Sequence, residues 1–184
     1  RLESLGVIEI RHGDGAHVQH SLESPRRDPI WAMFYMDDRL DEDLIMTLLE
    51  IRLILVPEMA ALAASRRDER HARELLRLSS PGTGLSVMER DIMIHRVIAQ
   101  ASGNTLYVVL LNFFNRFFRE YGHLYFDNQD NSRRSERFHQ DIAHAVAEGD
   151  PMRARLVMRE VLEYAQKAVL DVVRSGAGEH MERT

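Results

Sequence analysis

The 184-residue sequence predicts a mainly α fold, an antiparallel helical bundle preceded by a β-hairpin. Three observations carry that prediction. From Asp28 onward apolar residues recur at three- and four-residue spacing, the period of a helix buried on one face. Asp28-Pro29 and Asp150-Pro151 each place a capping carboxylate before a proline, the signal of a helix start. Before residue 20 the texture differs: two short runs, Val7-Ile8-Glu9-Ile10-Arg11 and Ala16-His17-Val18, flank Gly13-Asp14-Gly15, as strands flank a tight turn.

Taken in order, Leu2 and Leu5 followed by Gly6 predict a helix end closed by glycine. The hairpin follows, and residues 21–27 are polar, contain Pro25 and predict a linker. A long helix is predicted over 41–66, with Leu44, Leu48, Ile51, Leu55, Met59 and Leu62 at helical spacing. Pro57 lies inside it and predicts a kink, because proline lacks an N–H and crowds the preceding turn. Further helices are predicted over 69–78, 86–101, 104–126, 132–148 and 150–174. Residues 79–84 form a loop, Asn104 is a cap after Ser102-Gly103, and Gly149 closes the helix before Asp150. The Gly-rich tail over 176–184 is expected to fray. The division is therefore 1–20, linker 21–27, an all-α domain over 28–175, and the tail.

Lys and Arg number 24 against 29 Asp and Glu, a net charge of −5, so the chain as a whole is not a basic nucleic-acid binder. A small DNA-binding part on a larger acidic one is compatible with this balance. Residues 1–27 carry Arg1, Arg11, Arg26 and Arg27 against Glu3, Glu9, Asp14 and Glu23, no net charge. Cysteine is absent, which removes disulfides, thiolate metal sites and cysteine nucleophiles. No apolar run approaches the ~20 residues of a membrane helix, and Arg1-Leu2-Glu3-Ser4-Leu5 is not a signal peptide. A cytoplasmic setting fits. The chain opens without an initiator Met on what reads as a helix tail, so further sequence upstream is expected.

Asp91 and His95 stand four residues apart in Asp91-Ile92-Met93-Ile94-His95, one above the other on one helix face. His139 shares its helix's apolar face with Ile142 and Val146, whereas His144 is turned about 140° away. Arg52 interrupts the apolar run Ile51-Arg52-Leu53-Ile54-Leu55, and a guanidinium there is costly to bury unless it meets a carboxylate. Singly, each has a structural explanation: a helix-end Asp with a core-edge His, a satisfied buried His, an internal ion pair. Glu163 and Tyr164 read as ordinary surface or edge residues. Together, Asp91, His95 and His139 offer three ligands suited to Zn²⁺, Ni²⁺ or Mn²⁺, with Arg52 as counter-charge for an anionic ligand. A metal-dependent helical-bundle enzyme using these three residues and an activated water is one reading. No positioned nucleophile, glycine-rich phosphate loop or His-Glu metalloprotease motif accompanies them, so catalysis has little support.

The chain resembles the GntR family of bacterial transcription regulators, in the subfamily with the all-α FCD effector domain. Leu2 to Ile8 and Gly13-Asp14-Gly15-Ala16-His17-Val18 look like the end of the recognition helix and the wing of a winged helix-turn-helix whose greater part is absent from this sequence. Leu49-Glu50-Ile51-Arg52 with Pro57-Glu58-Met59-Ala60-Ala61 is similar to the first effector-domain helix. Asp91-Ile92-Met93-Ile94-His95 with Ala101-Ser102-Gly103-Asn104 is the most specific part. The resemblance implies a homodimer that binds operator DNA and responds to a small carboxylate metabolite, through Arg52, Asp91, His95 and His139. In metal-holding members one Asp and three His bind the ion; the fourth position here is Val161, which cannot ligate. Val56 stands where a Glu often follows the arginine. Asp14 occupies the wing tip, leaving Arg11 and His12 as DNA contacts. Two arrangements are open: a three-ligand metal site completed by water or effector, or a metal-free polar network. The apolar helix over 106–118, with Leu110, Phe113, Phe114, Phe117 and Phe118 on more than one face, is the expected dimer element.

Overall fold

A computed structural model of the chain describes residues 8–11, 15–18 and 42–174. The chain divides into two compact units, meeting between Met46 and Thr47. In the first, β1 (Ile8–Arg11) and β2 (Gly15–Val18) pair antiparallel, with Ile8 opposite Val18 and Arg11 opposite Gly15. The expected helix end at Gly6, the turn residue Asp14, the linker over 21–27, the cap at Asp28-Pro29 and the tail over 176–184 lie outside the described residues.

Seven helices follow among the described residues: α1 (Glu42–Arg66), α2 (Glu69–Ser79), α3 (Val87–Ala101), α4 (Thr105–Tyr121), α5 (His123–Phe126), α6 (Gln129–Glu148) and α7 (Pro151–Arg174). Their starts are set by side chains that take up the free amides of a first turn. Asp68 caps α2, and Ser86 caps α3 in a reciprocal box with Glu89. Asn104 accepts from Leu106 N–H at the start of α4, and Asp150 accepts from Arg153 N–H at the start of α7. α1 runs on through Pro57 to Arg66.

Two expectations are corrected. The helix read as 104–126 is two, α4 and α5, parted at Gly122. Gly122 adds no side-chain packing, and a Cβ there would run into the Phe118 carbonyl oxygen and approach Met88 Sδ to 2.9 Å. The helix read from 132 begins at Gln129, because the Asn128 carboxamide oxygen accepts from the amides of Asp130 and Asn131, at 2.8 and 3.2 Å.

Inside the second unit α6 is the central element, packed on α2, α3, α5 and α7; α3 also packs on α2 and α4. Leu75, Leu78, Ile94, Ile98, Ile142 and Met158 are fully buried between these helices. α1 ends on two consecutive arginines that each reach another helix's last carbonyls. Arg66 donates to Ser102 O beyond α3, at 2.8 Å, and Arg67 donates to Ala147 O of α6, at 3.1 Å. Cations at helix C-termini answer both the unpaired carbonyls and the negative end of the dipole. Bidentate Arg155–Glu58 bonds, 2.7 and 2.8 Å, tie α7 to α1.

Gly149 closes α6 in the left-handed region, φ +76°, and a Cβ there would meet Arg67 Nη2 at 2.8 Å. Gly82, also left-handed at φ +93°, has open space around its Cβ position. Gly149→Ala should therefore cost more than the ~1–2 kcal/mol of left-handed strain alone, and Gly82→Ala only that strain. Equal losses in urea unfolding would remove the role assigned to the Arg67 contact.

Candidate functional site

Three helices deliver the four predicted residues to one place. Arg52 comes from α1, Asp91 and His95 from α3, and His139 from α6; all four are buried. The i,i+4 spacing puts His95 Nε2 at 3.6 Å from Asp91 Oδ2. From α6, His139 Nε2 lies 3.1 Å from Asp91 Oδ1. Arg52 Nη2 lies 3.5 Å from His95 Nε2. Asp91 is thus flanked by both imidazoles, with the guanidinium beyond His95. His144 and Glu163 are exposed, as expected. Of the wing contacts, Arg11 lies in β1 and His12 lies outside the described residues.

Charge follows from burial and neighbours. Burial works to raise the Asp91 carboxyl, but His95, the His139 hydrogen bond and Arg52 together hold it below its ordinary value. Asp91 is therefore ionised and accepts, so His139 Nε2–H donates to it. Burial drives His95 down to about 4, against the pull of Asp91 and helped by Arg52, so this imidazole is neutral. Burial also lowers Arg52 to about 10, which leaves it a cation.

Three buried atoms of this cluster have no hydrogen-bond partner among the described residues: Arg52 Nε, His95 Nδ1 and His139 Nδ1. Metal-ligating histidines ordinarily donate the second ring nitrogen to a neighbour; here neither Nδ1 does. His139 Nε2 is engaged by Asp91, and a guanidinium already stands beside His95. Among the described residues no three His, Asp or Glu side chains are arranged to hold an ion. Val161 lines the same cavity and adds no donor. Both imidazole Nε2 atoms face Asp91, so these residues could hold a divalent ion only once the His139–Asp91 and His95–Arg52 contacts opened.

Aromatic neighbours complete the site, and sequence reasoning missed their roles. The Phe118 ring, from α4, lies under the guanidinium with Arg52 Cζ 4.3 Å from its centroid. Phe118 and Arg52 together line two cavities of about 10 Å³ each, room for about one water apiece. Tyr125 lines both cavities as well. Tyr164, read as an edge residue, is half-buried; its hydroxyl donates to Asn131 at 2.8 Å and its ring carries Arg134 at 4.1 Å. Asn131 in turn donates to Tyr125 O at 2.9 Å, so Tyr164 backs the site wall.

An all-α bundle thus brings a carboxylate, two imidazoles and a guanidinium together in its interior. The same fold occurs in the solved structure of Streptococcus agalactiae GntR, with a TM-score of 0.66 over 91% of this chain and 77% of that one, at 20% identity. Residues 47–164 match the FCD domain, and the chain belongs to that family. It is 24% identical over 183 residues to the HTH-type transcriptional regulator Mce2R of Mycobacterium tuberculosis, covering 96% of this chain and 75% of that protein. It is 28% identical over 170 residues to the HTH-type transcriptional regulator LutR of Bacillus subtilis, covering 85% and 74%. These relatives are regulators and not enzymes. No helix among the described residues is long and apolar enough to cross a membrane.

A histidine whose pKa falls from 6.5 to about 4 on folding binds fewer protons folded than unfolded between those values. Stability should therefore be full above pH ~6.5 and fall as pH drops towards 4, by up to ~1.4 kcal/mol per unit from this group. With chelator present, His95→Gln should flatten the urea-unfolding stability over that window. An unchanged pH slope in the variant would show that His95 is not held neutral by its surroundings.

Proposed function

We propose that the chain is a GntR/FCD-type transcriptional regulator whose helical domain binds a small organic carboxylate at Arg52 and modulates operator binding as a homodimer. The observation that carries this is the state of Arg52. Its guanidinium is buried, and among the described residues its Nε has no partner and its one hydrogen bond is the 3.5 Å contact to His95. A planar donor fork left in that state suits a carboxylate, which can accept two of its bonds at once. Asp91, His95 and His139 supply the polar wall.

Cavities of about 10 Å³ hold no metabolite, so binding must displace a side chain. Phe118 lines both cavities and lies against the guanidinium, so it is the side chain whose displacement would open room beside Arg52. Phe118 belongs to α4, whose outer face leaves Leu106, Val109 and Leu110 exposed. That apolar row is where a second copy would pack, so ligand and dimer geometry meet on one helix. Two states that differ in the position of Phe118 would then differ in affinity for both effector and operator. The β1–β2 hairpin is read as the wing, with Arg11 and His12 as its DNA contacts.

A divalent ion is the second reading. The observation favouring it is the convergence of Asp91 with both imidazoles, at 3.1 and 3.6 Å. Loading would require His139 to turn its lone pair inward, and His95 to part from Arg52.

Citrate and malonate, tested with chelator present, should raise the Tm of the chain by ~5 °C at a hundredfold excess over Kd. Arg52→Gln should abolish the rise. A rise that persists in Arg52→Gln would sink the carboxylate assignment; one that needs Zn²⁺ or Mn²⁺ and vanishes with chelator would establish the metal reading. Separately, Leu106→Glu with Val109→Glu should convert a dimer to a monomer in light scattering without loss of helicity. A dimer that survives both changes lies elsewhere.

A further inference from the structure

Away from the buried cluster, α2 and α3 leave between them an open groove of about 960 Å³. Two helix faces make its walls. Arg70, Arg73 and Arg77 follow one another at i, i+3 and i+7 along α2, and all three are exposed. Opposite them on α3 stands Arg96, also exposed. The lining acid is Glu74, and it is held by two bonds of 2.8 Å from Arg77. Arg73 pairs with Glu69 at 3.2 Å. Arg70 and Arg96 have no salt bridge among the described residues. Of the four arginines, Arg70 and Arg96 are therefore the two left to answer an anion, in a chain of net charge −5.

The floor is of a different kind. Met93 and Val97 on α3 and Val108 on α4 line it, with Val97 buried and the other two half-buried. Thr105, in the first turn of α4, also lines the groove, placing the positive end of that helix at the site. The volume is that of a small-molecule site rather than of a flat contact.

We propose that this groove binds an organic phosphate of nucleotide size, with its phosphates on Arg70 and Arg96 and its apolar part on Met93, Val97 and Val108. A nucleic-acid backbone would use the arginines and leave the apolar floor in water. A plain inorganic anion would use neither the floor nor the volume. The site is separate from the Arg52 cluster, and the inference stands whether or not a carboxylate binds there.

The probe is ADP, titrated calorimetrically into the chain, with adenosine as the uncharged comparison. ADP should bind and adenosine should bind at least tenfold more weakly. Arg70→Ala with Arg96→Ala should weaken ADP at least tenfold; both side chains are exposed, and circular dichroism checks that the fold is kept. Saturating malonate should leave ADP binding unchanged, and Arg70→Ala with Arg96→Ala should leave any malonate response unchanged, so the two sites fail independently. No binding of ADP at millimolar concentration, or equal binding by the double variant, overturns the proposal. A random-sequence DNA duplex that binds where ADP does not would overturn it too, and would assign the arginines to nucleic acid.

Discussion

A carboxylate buried in the middle of a helical bundle is the constraint on which this molecule turns. Asp91 is 6% exposed and ionised, and it holds that state through groups that arrive on different helices. His139 must come from α6, His95 from the next turn of α3, and Arg52 from α1. Each of these helices is therefore fixed in register at one residue. Removing a single partner from such a cluster leaves an uncompensated buried charge, ~3–5 kcal/mol. Apolar replacements of the whole cluster cost far less and can even stabilise. An arrangement of that kind is hard to explain by stability and easy to explain by binding.

Among the described residues the cluster is also incompletely satisfied. Its unpartnered nitrogens sit on the side chains proposed to meet the effector, beside cavities the size of a water. Buried polar networks that lack partners are costly in proportion to how dry they are. Arg52 answers part of that cost by lying on Phe118, a contact that an incoming carboxylate would have to exchange for its own. Among the described residues the Arg52 guanidinium thus rests on an aromatic ring instead of in an ion pair.

How much of this was legible in the sequence depended on whether one helix or several carried the signal. Asp91 and His95 were readable because a four-residue spacing fixes a shared face. His139 and Arg52 were readable because each breaks an apolar pattern. Caps at Asn104 and Asp150 were readable from residue type alone. Phe118 was not: α4 carries aromatic residues around most of its circumference, and nothing local says which one meets a guanidinium 66 positions earlier. The break at Gly122 was lost inside an apolar run that argued for continuity. The arginine groove was invisible for a geometric reason, since Arg70 and Arg96 come to line one groove only when α2 packs against α3.

The paired arginines that end α1 bear on more than helix capping. Arg66 and Arg67 fasten that end to the carbonyls closing α3 and α6, and the bidentate Arg155–Glu58 pair ties the helix again about two turns earlier. At 1.5 Å per residue, Arg52 stands ~21 Å from the fastening and Glu42 ~36 Å from it. Pro57 stands between those ties and Arg52, where its ring removes a backbone hydrogen bond, so a bend of α1 near the buried cluster falls there.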